Sequence, residues 1–177
     1  DLHSFPTRRS SDLEPEAHTE IRFSWNHLSV SRMSGTILDY DGKLNFDEAA
    51  PEKSAFAFTA KAASLWTHVD ELDTILKGPK FFDAGKFPEI GFKSTTVEKT
   101  GEKTGRITGD LTIKGVTRPV TLDVVLNFKG PYPYLNTPAL GFSAKTTIKR
   151  SEFGLAEGIP AVSDEIAITI ETELQKG

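Results

Sequence analysis

Residues 107–128, ITGDLTIKGVTRPVTLDVVLNF, decide how this chain folds. Ile107, Leu111 and Ile113 fall on one face at period two. After the tight Lys114-Gly115-Val116-Thr117 connection, Val120, Leu122, Val124, Leu126 and Phe128 do the same. A period of two sends successive side chains to opposite faces of an extended chain, so the stretch predicts an antiparallel hairpin, apolar on one side and polar on the other.

The same alternation extends outward in both directions. On the C-terminal side, Ala139–Lys149 sets Phe142, Ala144, Thr146 and Ile148 against Ser143, Lys145 and Thr147. Ser163–Leu174 sets Ile166, Ile168, Ile170 and Leu174 against Glu165, Thr169, Glu171 and Glu173. On the N-terminal side, Phe87–Val97 carries Ile90 and Phe92, and Ser54–Ala63 carries Phe56 and Phe58. Met33–Asp47 is interrupted by a turn or bulge signal at Asp41-Gly42, and Thr19–Trp25 carries Ile21, Phe23 and Trp25. With Gly105–Lys114 and Arg118–Lys129, eight strands are predicted. One helix is expected, over Val69–Lys77: Val69, Leu72 and Ile75/Leu76 recur at helical spacing, acids fill the first turn, and Gly78-Pro79 follows. Thr67 or His68 is its expected N-cap, with Thr the better chemically.

Eight alternating strands form either a closed antiparallel barrel or a two-sheet sandwich; closure removes exposed sheet edges and favours the barrel. Such a barrel is either filled by side chains or holds one small ligand. The inward face carries Phe23, Phe56, Phe58, Phe92, Leu111, Ile113, Leu122, Val124, Leu126, Phe142, Ile166 and Ile168. Both a solid core and an apolar cavity fit that set. Twelve Phe against two Trp and three Tyr suit a dry interior, because Phe brings area without a polar handle.

Composition narrows the function classes. A net charge of −4 with dispersed lysines argues against nucleic acid as partner. No apolar run is long enough to span a membrane as a helix. The absence of Cys excludes disulfides and cysteine-ligated zinc. Residues 1–13, DLHSFPTRRSSDL, have no periodicity and read as the translation of a sequencing-library adaptor, expected to be disordered, so one domain is expected over residues 14–177 with its natural N-terminus missing.

Four motifs, one of them inside the stretch quoted above, carry a resemblance. His18-Thr-Glu-Ile-Arg-Phe23 precedes Asn26-His27-Leu28. Phe81-Phe82-Asp83-Ala84 precedes Phe87-Pro88-Glu89-Ile90-Gly91-Phe92-Lys93-Ser94. Gly109 to Leu122 gives the block GDLTIKGVTRPVTL. Gly141-Phe142-Ser143-Ala144 leads through Thr147-Ile148-Lys149-Arg150-Ser151-Glu152-Phe153-Gly154 to Ser163-Asp164. In this order and spacing they are similar to the YceI-like family, small bacterial barrels that bind polyisoprenoid lipids. The resemblance implies an all-β fold: an eight-stranded antiparallel lipocalin-like β-barrel with one short helix in a long loop. It further implies a tunnel for a long isoprenoid chain, of quinone or polyprenyl phosphate type, with the twelve apolar residues above as lining. The family's Arg-Asp before a His-Leu-Lys helix end is only partly kept: Asp73 and Leu76 remain, without that Arg and His.

No nucleophile elbow, cysteine nucleophile or HExxH pattern occurs, so no catalytic residue, metal site or cofactor is expected beyond a bound lipid. An enzyme on a small apolar substrate and a packed module without ligand are the alternatives. His27, Asp73 and Arg150 are the head-group candidates; Arg150 ends a strand where the chain must turn, and it would serve either a pyrophosphate or quinone head or the carbonyls of that turn. Family members often pair, which makes a homodimer an expectation. A signal peptide would lie in the missing N-terminus, making the periplasm or the exterior the expected location and the cytoplasm the alternative.

Overall fold

The computed structural model describes residues 12–15, 18–47, 49–133 and 136–176. Its eleven strands among these residues form one antiparallel sheet. They are β1 (Asp12–Pro15), β2 (Glu20–His27), β3 (Ser31–Ile37), β4 (Tyr40–Asn45), β5 (Ala55–Lys61), β6 (Leu65–Trp66), β7 (Glu89–Lys99), β8 (Thr104–Ile113), β9 (Val116–Pro131), β10 (Pro138–Lys149) and β11 (Glu165–Lys176). The helix α1 spans Asp70–Lys77.

The sheet closes on itself. From β4 the ladder runs through β5, β7, β8, β9 and β10 to β11, and β1 bridges β11 back to β4. Above β1, β2 continues alongside β11 and pairs in turn with β3. The eight predicted strands become eleven for local reasons. Met33–Asp47 breaks at Leu38-Asp39 rather than at Asp41-Gly42, which stays inside β4 with the Asp41 carboxylate accepting from the Gly42 N–H at 2.8 Å. A 3-10 turn at Ala62–Ser64 separates β5 from the short β6, and β1 is an additional strand. Asp12 and Leu13 of the presumed adaptor segment belong to β1; residues 1–11 lie outside the described residues.

The central hairpin behaves as its alternation requires. Ile107 faces Leu122 and Ile113 faces Val116 across β8 and β9. The connection is the pair Lys114 (φ 50°) and Gly115 (φ 75°), both left-handed as a two-residue loop of matching twist demands. On the outer face Thr108 meets Thr121, and Thr112 meets Thr117, each hydroxyl pair at 2.8 Å. Gly109 has a steric reason to lack a side chain: a Cβ there would lie 2.4 Å from the Lys93 carbonyl oxygen and 2.5 Å from the tip of Phe92.

Alternation fails at one expected inward position. Gly141 pairs with Phe128, whereas Phe142 pairs with Leu126, so Asn127 is an extra residue on β9. Such a bulge shifts the facing of whatever follows, and Phe128 is 41% exposed instead of inward.

At one end of the barrel, called upper here, the loop from β10 to β11 is tied down by Arg150, which is 6% exposed. Its guanidinium donates to the carbonyls of Ser163, Glu157 and Val162 at 2.9 Å each, and also to that of Leu155. Four of its five N–H groups are thereby taken. Asp164 completes the tie by accepting the Ser151 N–H and hydroxyl at 2.8 Å each. Burial works against ionising Asp164, yet these bonds and the Arg150 charge hold its pKa below the usual carboxylate range.

Candidate functional site

The barrel is hollow. An upper chamber of 360 Å³ and a lower one of 320 Å³ follow each other along the axis. Both volumes fall within the range of small-molecule sites, about 300–1,000 Å³. Phe56, Leu122 and Ile170 belong to both linings and mark where the chambers meet.

Each of the twelve predicted lining residues borders one chamber or both. In the upper chamber Phe23 comes from β2, Phe58 from β5 and Phe92 from β7; Leu111 and Ile113 come from β8, and Ile166 and Ile168 from β11. Val124 and Leu126 of β9 and Phe142 of β10 line the lower chamber, while Phe56 and Leu122 line both. The alternation that defines the strands therefore also defines the cavity wall.

The upper chamber has a roof that alternation alone does not show. Leu72 and Leu76 of α1, with Phe81 and Phe82 of the following turn, close over it. Their signal is the helical i,i+4 spacing of the two leucines plus the adjoining Phe pair. The Phe82 N–H bonds the Leu76 carbonyl at 2.9 Å, and the Lys114 ammonium bonds the Pro79 carbonyl at 3.0 Å, fastening the roof to the central hairpin.

The head-group candidates separate in space. His27 lines the upper chamber at an exposed position on β2. Arg150 borders the same chamber with its donors committed to the loop carbonyls. Asp73 is outside both linings. Its carboxylate accepts the Thr67 N–H and the Thr67 hydroxyl, each at 2.7 Å. The expected N-cap is thus reversed: the N-cap position is Val69 without a side-chain bond, and Thr67 donates to Asp73 inside the helix. Asp73→Ala is expected to lower stability by about 2–3 kcal/mol, because the N–H and hydroxyl of Thr67, a residue 3% exposed, both lose their acceptor. Asp73→Asn, which keeps an acceptor oxygen, should lose less in equilibrium urea unfolding.

Polar groups are distributed unequally. Among the described residues, only Thr146 besides His27 and Arg150 brings a polar side chain into the upper lining. The lower chamber opens between Glu98, Lys99, Glu102, Lys103 and Arg106 at the β7–β8 turn, with Lys129 on β9. Arg106 pairs with Asp123 at 3.2 Å on the exposed surface.

Comparison with known proteins matches this architecture. The family described as the YceI-like domain matches residues 12–174. A UPF0312 protein of Pseudomonas putida (strain W619) is 40% identical over 156 residues, covering 88% of this chain and 80% of its own. The YCEI protein of Campylobacter jejuni superimposes with a TM-score of 0.78 at 32% identity, covering 86% of this chain and 90% of its own. A polyisoprenoid binding domain from Saccharophagus degradans, implicated in plant cell wall breakdown, superimposes with a TM-score of 0.70 at 11% identity. That alignment covers 96% of this chain and all of the domain, and at that identity it speaks for the fold.

Proposed function

Because the chain belongs to the YceI-like domain family, we propose that it is a non-enzymatic binder that sequesters or carries a long-chain isoprenoid lipid in the barrel. The observation that carries this reading is the pair of apolar chambers in line, walled by Phe, Ile, Leu and Val from successive strands. A prenyl chain has no hydrogen-bonding atoms, so its affinity comes from buried area at roughly 25 cal/mol per Å². The name of the Saccharophagus domain supports the same class of ligand.

The chemistry of the two ends orients such a ligand. Of the three candidates, the upper end leaves only His27 to a polar head, since Arg150 already serves the loop and Asp73 serves Thr67. The lower mouth, with its charged side chains open to water, suits a quinone ring or a phosphate. The tail then points toward the α1 roof.

Native mass spectrometry of the full chain, followed by extraction and identification of any adduct, tests this. About one isoprenoid per barrel, or stoichiometric uptake of added ubiquinone or polyprenyl phosphate, is the expected result. A protein that purifies empty and takes up neither would overturn the reading.

A further inference from the structure

The two chambers meet at one aromatic side chain. Phe56 is the aromatic residue common to both chamber linings, and it packs against the upper hydrophobic cluster as well as the lower one of Leu44, Leu140 and Leu174. Its ring lies 6.0 Å from that of Phe92 at an interplanar angle of 46°. Its backbone is fixed at a break in the sheet. The β7–β8 register shifts between Ser94 and Thr96, and at that level the Phe56 N–H bonds the Ser94 hydroxyl at 2.8 Å in place of a ladder carbonyl. Leu122 and Ile170 come to the same junction from β9 and β11.

We propose that Phe56 is a specificity-determining residue that sets a chain-length threshold for the ligand; the proposal rests on the isoprenoid reading above. An apolar cavity of ~150 Å³ holds one benzene, or about 25 Å³ per carbon. On that scale either chamber takes on the order of thirteen carbons, close to a farnesyl chain. A chain of four or more prenyl units fits only by threading past Phe56 into the second chamber. The gain in buried area beyond three units therefore depends on the width of this junction, and the protein selects long chains over short ones only while Phe56 lets them through.

The test is a set of dissociation constants for farnesol, geranylgeraniol and solanesol (three, four and nine prenyl units) with delipidated full chain, Phe56→Trp and Phe56→Leu. The wild type is expected to prefer the longer two over farnesol. Phe56→Trp should reduce the geranylgeraniol-to-farnesol affinity ratio at least tenfold, and Phe56→Leu should raise it. Reading a ratio within each variant separates the threshold from any general loss of fold, and Phe56→Leu covers the case in which Trp cannot be accommodated. An unchanged ratio in both variants, or a wild type indifferent to length, overturns the threshold while leaving isoprenoid binding in place. A wild type that binds none of the three alcohols overturns the parent reading and the threshold together.

Discussion

Arg150→Met is expected to lower the free energy of unfolding by about 3 kcal/mol or more, because several carbonyls lose a charged donor at once and each such bond contributes about 1.5–3 kcal/mol. The side chain donates to four main-chain carbonyls drawn from residues 155–163. Met keeps much of the volume and none of the donors, so four carbonyls lose a charged partner at once, the buried Leu155 carbonyl among them. Arg150→Lys should recover less than half. An ammonium is one compact centre, whereas the guanidinium fork reaches the four oxygens from three nitrogens. Equilibrium urea unfolding followed by circular dichroism measures this; a loss under about 1 kcal/mol, the size of an ordinary substitution, would show that the loop holds without the tie.

The largest effect on binding is expected from Ala144→Trp. Ala144 projects from β10 into the lower chamber, opposite Val124 of β9 and Ile170 of β11, and is among its smallest lining residues. An indole there occupies space that the ligand's chain would otherwise fill. Each carbon kept out forgoes about 0.8 kcal/mol of transfer free energy. Excluding only four carbons raises the dissociation constant for solanesol by more than about a hundredfold. Farnesol, with its hydroxyl at the same lower mouth, should be weakened as well, because its shorter chain also fills the lower chamber. Titrations of both alcohols against the variant decide it, and an unchanged solanesol affinity would mean that the lower chamber is not where the long chain goes.

How much of this was legible in the sequence follows from the range of the interactions involved. The hairpin of β8 and β9 and the twelve wall residues are local matters of period and turn chemistry, and alternation reads them directly. Phe128 was misread because the bulge at Asn127 is a property of the pairing with Gly141 and Phe142, which β9 alone does not encode. The strand break at Leu38-Asp39 was placed at Asp41-Gly42 because Asp-Gly is a strong turn signal. Here that pair is absorbed into β4, opposite Thr59 and Phe58 of β5.

Polar roles were the least legible. Thr67 resembles an N-cap in sequence, but Asp73 is a stronger acceptor within its reach. For Arg150 the sequence left two readings open, an anionic head or the turn's carbonyls. Its geometry commits four donors to the carbonyls. The division of the interior at Phe56 was not visible at all, since it arises from three strands distant in sequence and from a register shift in a fourth.

The two tryptophans stand on opposite sides of the barrel wall. Trp25, 8% exposed, borders the upper chamber with its ring 5.8 Å from that of Phe23. Trp66, 39% exposed, lies against the His68 imidazole, with ring centroids 3.7 Å apart. The molecule thus carries an inner and an outer chromophore that differ in local polarity. Light emitted from the dry site registers whatever enters the lumen, while the wet site supplies a reference that the cargo does not touch. Occupancy becomes a ratio of two colours from one unlabelled chain.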